Sequence, residues 1–147
     1  MDISGSYILN APAERVWPLI FNPNSLISLI PGCQQLEQVA PDEYRGQMTI
    51  GVAGVRGKYD TLVKIVEADA PNFCAFEGQV TGPTGTITGQ ASFSLEQVEQ
   101  DTKIEYHARA LITGALGIIS PRIFESVSKT FINQGMEKLN NNLTDDD

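Results

Sequence analysis

Between Tyr44 and Ile112 the chain alternates so regularly that nearly all its strand charges fall on one side. Lys103, Glu105, His107 and Arg109 share one parity, and Ile104, Tyr106, Ala108, Ala110 and Ile112 hold the other. Thr88, Gln90, Ser92, Ser94 and Glu96 stand in the same way against Ile87, Gly89, Ala91, Phe93 and Leu95. Upstream, Glu77 and Gln79 oppose Phe76, Gly78 and Val80, while Lys58, Asp60 and Lys64 oppose Tyr59, Thr61, Val63 and Ile65. Arg45, Gln47 and Thr49 oppose Tyr44, Met48 and Ile50. Successive side chains of a strand point to opposite faces, so the pattern demands a sheet with one apolar face turned inward and one polar face turned to water. Over the positions named here, no Asp, Glu, Lys, Arg or His lies on the inward parity.

That distribution narrows the chemistry. Acid–base or nucleophilic catalysis needs titratable groups converging inside a cleft, and here they point away from it. His107, the one histidine, shares its face with Lys103, Glu105 and Arg109 and reads as a solvated surface residue. Cys33 and Cys74 sit in no CxxC pair and read as small buried or half-buried thiols. One histidine and two isolated cysteines form no ligand set for a metal. No catalytic residue, metal or cofactor is therefore expected. The formal charge of -8, from 10 Lys plus Arg against 18 Asp plus Glu, repels phosphate backbones and argues against nucleic acid as a partner.

Strands are expected over 2–9, 33–40, 43–53, 56–68, 73–81, 86–98 and 102–113, each closed by turn residues. Helical patterns occupy 12–22, 24–30 and 121–142. The first has Pro12 at its opening position with Glu14 behind it and carries Pro18, which should kink it. The last opens on Ser120-Pro121 and sets Ile123, Val127 and Phe131 about a turn apart. At 147 residues this is one domain, placed at 1–142, followed by an acidic, solvated tail at 143–147. The order predicts an α+β helix-grip fold: a seven-stranded antiparallel sheet curved around a long C-terminal helix, with two short helices after the first strand.

The inward face carries many small residues, Gly78, Gly89, Ala91, Ala108 and Ala110. They admit two interiors. In one the C-terminal helix packs closely on the sheet and the core is full. In the other they leave a cleft for an apolar ligand, lined also by Met48, Val63, Phe76, Phe93, Tyr106, Val127 and Phe131. Antiparallel parity puts the turns near 54, near 83 and after 113 at one end of the sheet. The apolar run "SLISLIPGC" stops at Pro31-Gly32 at that same end. Leu29, Ile30, Pro31, Val52, Val55, Pro83, Leu116, Ile118 and Ile119 are therefore expected to ring the entrance. Leu116, Ile118 and Ile119, set between Gly114, Gly117 and Pro121, either fold back over the core or form a gate.

The stretch "IPGCQQLEQVAPDEYRGQMTIGVAGVRGKY", standing after "APAERVW", resembles the carbon monoxide dehydrogenase G-subunit family of the START-like, polyketide cyclase (SRPBCC, Bet v 1-like) superfamily. The likeness continues through "GQVTGPTGTITGQASFSL" and "TKIEYHARALITGALG" to about residue 135. It implies the helix-grip fold and an accessory protein of molybdenum hydroxylases of the carbon monoxide dehydrogenase type. Such a protein would recruit the enzyme to the membrane or carry a hydrophobic molecule, an isoprenoid quinone or lipid, without catalysis of its own. Two other roles stay open: a docking or assembly component with a filled core, and a cyclase-type enzyme working through the hydroxyls of Tyr44, Tyr59 and Tyr106. Some members of the family continue into a linker and an apolar anchor. This chain ends at "NNNLTDDD", so transient membrane contact is expected of the domain itself. "MDISGSY" has no basic or long apolar region and no run of 18 apolar residues follows, which points to a cytoplasmic protein with peripheral contact at the inner face of the membrane.

Overall fold

In the computed structural model, which describes residues 1–30, 32–52 and 55–144, alternation of period two becomes seven strands. They are β1 (Asp2–Leu9), β2 (Cys33–Ala40), β3 (Glu43–Val52), β4 (Val55–Asp69), β5 (Phe73–Gly82), β6 (Gly85–Val98) and β7 (Asp101–Thr113). All pair antiparallel in one sheet of order β1-β7-β6-β5-β4-β3-β2. The order follows from the connections: short turns force each strand from β2 to β7 beside its predecessor, and β1 is left to close on β7. The inward parity of β4 would place Glu67 on the apolar face. A register shift between Ile65 and Glu67 carries that carboxylate outward, where it is exposed.

Two short helices, α1 (Ala13–Ile20) and α2 (Pro23–Leu29), fill the connection between β1 and β2. Pro12 stands one place earlier than expected, as the extended cap residue whose carbonyl accepts the amides of Arg15 and Val16. Pro18 lies near the end of α1, with its ring exposed. Asn22 caps α2 by accepting the amide of Asn24, and Pro23 supplies the preset φ of a first helical residue. Beyond Leu29 the chain turns extended at Ile30 and left-handed at Gly32, φ +81°. A Cβ on Gly32 would collide with the Thr49 carbonyl oxygen, and the Thr49 amide donates to the Gly32 carbonyl at 2.8 Å. The break after the apolar run is thus a reversal that only glycine can make against β3.

The long helix α3 (Pro121–Thr144) runs two residues beyond its expected end, and Leu143 is buried. The three residues after Thr144, within the expected acidic tail, lie outside the described residues. Along α3, close packing is with β1, α2 and α1 rather than with the middle of the sheet. The core accordingly falls into two clusters. One gathers Leu9, Val16, Leu29, Cys74, Phe93, Leu95, Ile104, Leu139 and Leu143 at the α1–α2 end. The other gathers Tyr59, Leu116, Ile119 and Phe124 at the opposite end, where a 3₁₀ segment (Gly114–Ile118) links β7 to α3.

Thr102, fully enclosed, ties the first cluster to the chain entering α1 by donating its hydroxyl to the Ala11 carbonyl at 2.7 Å. Thr102→Val keeps the shape and strands that carbonyl, so a stability loss of about 1–3 kcal/mol is expected in urea titrations.

Candidate functional site between the sheet and the long helix

A strip of the inward face lies between the two clusters and belongs to neither. Sheet register sets Val63, Gly78, Gly89 and Ala110 side by side in one row, and Phe76, Ala91 and Ala108 in the next. Val63, Gly78, Gly89, Ala91, Ala108 and Ala110 are all half-buried and belong to neither cluster. Met48 and Val127 lean on the Tyr59 cluster, Phe76 and Tyr106 lean on the other, and Phe93 is buried in it. On α3, Phe131 is 37% exposed and lies along the helix between buried Phe124 and buried Leu139. Apart from Val63, the half-buried residues of the strip add only a hydrogen or a methyl to the sheet surface. The closest backbone approach of α3 is to β1, α1 and α2.

Among the described residues no charged side chain enters this strip. His107, Lys103, Glu105 and Arg109 point to the outer face, and Lys103 pairs with Glu105 at 2.9 Å. Among the described residues no group of His, Cys, Asp and Glu could hold a metal. Tyr7, packed against the first cluster, and three further tyrosines supply the inward hydroxyls. Tyr44 donates to the Phe21 carbonyl at 3.1 Å and is thereby committed. The Tyr106 ring lies across β1, where a Cβ on Gly5 would stand 2.5 Å from its hydroxyl oxygen. Tyr59, 1% exposed, is pressed against Gly82, and its hydroxyl has no hydrogen-bond partner among the described residues.

Burial holds the Tyr44 and Tyr59 phenols and the Cys33 and Cys74 thiols above their ordinary ranges, because each charged form would lose its solvation. For Cys33 a weak bond to the Gln35 carbonyl accompanies that burial. A raised value means that the folded state binds the proton more tightly than the unfolded chain. Stability should therefore be level around neutrality and fall as pH climbs past the ordinary thiol and phenol values, about 8.5 and 10. Melting temperature followed upward from neutral pH checks this. A stability maximum in the alkaline range would contradict it.

The expected entrance divides. Leu29 is buried in the first core cluster and is a packing residue, not a rim residue. Leu116 and Ile119 are also buried, under the 3₁₀ segment. Ile118 is 83% exposed, Ile30 is at the margin of exposure, and Pro83 is exposed. Pro31 and the side chains of Val52 and Val55 lie outside the described residues. Strand parity identifies which turns share an end but not which side chain of a short turn is swallowed. A shallow depression of about 800 Å³ lies against the sheet between Leu62, Lys64, Glu77, Gln79, Gln90 and Arg109 with Met1 and Asp2 at its edge, and Gly78, Gly89 and Ala110 of the strip border it as well. Most of its side chains are of the polar parity, and the glycines let it reach the residues of the other face.

Residues 5–144 match the carbon monoxide dehydrogenase G-subunit (CoxG) family. The chain belongs to that family. No curated protein is a significant match to it. Among solved structures, a conserved protein from Geobacillus kaustophilus superposes with a TM-score of 0.93 at 25% identity, over 99% of this chain and 96% of that one. The Zhui aromatase/cyclase from Streptomyces has a TM-score of 0.73 at 13% identity, over 98% and 93%. A START superfamily protein from Mycobacterium smegmatis has a TM-score of 0.72 at 11% identity, over 98% and 97%. The last two likenesses establish the START-like helix-grip fold and nothing about activity. In this CoxG family member the strip lies on the inward face of the sheet, between the two core clusters.

Proposed function

We propose that this CoxG family member is a non-catalytic carrier that holds an apolar small molecule between the sheet and α3. The observation that carries the reading is the divided core: small, uncharged, half-buried residues separate two packed clusters beneath a helix braced elsewhere. An apolar ligand there would complete the burial that the protein leaves unfinished. The absence of inward charge and the protonated, buried phenol of Tyr59 support binding over acid–base chemistry. Family membership supports a molybdenum hydroxylase of the carbon monoxide dehydrogenase type as the partner, and an isoprenoid quinone or lipid as the cargo.

Loading takes place at a membrane surface, with the protein otherwise cytoplasmic. No helix among the described residues is long and apolar enough to cross a bilayer. The exposed Ile118, Ile123 and Phe131 supply the contact, and the net charge of -8 keeps it transient at anionic lipid. Ile118→Ser tests this. With 83% of the side chain in water, melting temperature and the amount of decylbenzoquinone bound at equilibrium should be unchanged, while transfer from liposomes slows several-fold. Unchanged transfer kinetics would remove the membrane step.

A further inference from the structure

We propose that the Tyr59 hydroxyl is the polar anchor of the cleft, donating a hydrogen bond to an oxygen acceptor at one end of an otherwise apolar ligand. The inference rests on the carrier reading and adds to it the residue that would meet a carbonyl or similar acceptor oxygen of the cargo.

Buried hydroxyls in folded proteins are nearly always paired, because an unpaired one has given up water for nothing. Tyr59 is 1% exposed, and its oxygen has no partner among the described residues. The same holds for the hydroxyl oxygens of Thr61 and Thr84. Thr61 is the next inward residue along β4, and Thr84 lies in the turn from β5 to β6. All three sit toward the end of the fold closed by the 3₁₀ segment. The Leu116 amide donates to the Thr84 carbonyl at 2.9 Å, and the Leu116 side chain is fully buried in the cluster of Tyr59. Leu116 therefore occupies the place beside these hydroxyls that a ligand's polar end would take.

The segment that bears Leu116 is the link between β7 and α3. It is one short turn, it starts at Gly114 in a left-handed conformation, φ +81°, and it carries the exposed Ile118. Withdrawal of Leu116 would open a path from the half-buried strip to the Tyr59 oxygen. The ligand's apolar body would lie along Val63, Ala91 and Ala108, with its acceptor meeting the phenol O–H. Burial raises the affinity of this phenol for its proton, and a protonated phenol is a donor.

Tyr59→Phe separates the anchor from the pocket. Decylbenzoquinone and decylbenzene, which share an apolar body and differ in their acceptor oxygens, are titrated calorimetrically into both proteins. The expected result is that the variant binds decylbenzoquinone about tenfold more weakly, binds decylbenzene as the native protein does, and melts no lower. Equal binding of both probes by both proteins would overturn the anchor and leave the carrier reading standing. Failure of the native protein to bind either probe would overturn both. A large fall in melting temperature would show that the hydroxyl already serves the fold, and would overturn the anchor as well.

Discussion

Leu116→Ala should lower stability by about 2–5 kcal/mol, the range for removing a leucine from an enclosed site. The residue has no solvent exposure and shares its cluster with Tyr59, Ile119 and Phe124. These side chains come from β4, the start of α3 and the link before it, so the hole cannot close by a shift of one element. Two residues on, Ile118→Ser should leave stability within about 0.5 kcal/mol, since its side chain stands in water. Urea unfolding of the two variants measures the contrast. A loss below about 1 kcal/mol for Leu116→Ala would mean that the 3₁₀ segment does not close this end of the core.

Ala108→Phe should abolish ligand uptake, weakening decylbenzoquinone binding by at least about tenfold, while the melting temperature holds. Ala108 is half-buried and lies in the row with Ala91 and Phe76, so a ring added there projects into the strip between the clusters. In a filled interior the same ring would overpack and cost about 1–3 kcal/mol. Gly89→Leu is a poorer test, because a Cβ at Gly89 would stand 2.7 Å from the Arg109 carbonyl oxygen and disturb the sheet itself. Ala108→Phe therefore distinguishes the carrier from the docking component with a packed core.

Much of this architecture is legible in the residues because period-two alternation is a local property. Lys103 to Ile112 sort by face whatever their neighbours do, and antiparallel turns then dictate the order of β2 to β7. The exceptions have physical causes. Glu67 breaks the parity, and only a register shift, which depends on the partner strand, moves it outward. Leu29 and Leu116 are apolar residues beside turns, and their sequence surroundings do not reveal that α3 and the Tyr59 cluster cover them. The gap between the clusters is likewise invisible in one dimension. The glycines and alanines of the inward face fit a close helix as well as an open cleft, and the choice depends on α3 bracing against β1, α1 and α2. The unpartnered oxygen of Tyr59 is invisible for the same reason, because pairing is decided by three-dimensional neighbours.

The central claim is that this interior takes up an apolar molecule, and native mass spectrometry after incubation with decylbenzoquinone-loaded liposomes tests it most directly. The account predicts one bound molecule per native chain, recoverable by organic extraction, and a bare mass for Ala108→Phe that melts like the native protein. A native chain that stays bare under these conditions, together with an Ala108→Phe variant destabilised as an overpacked core would be, would contradict it.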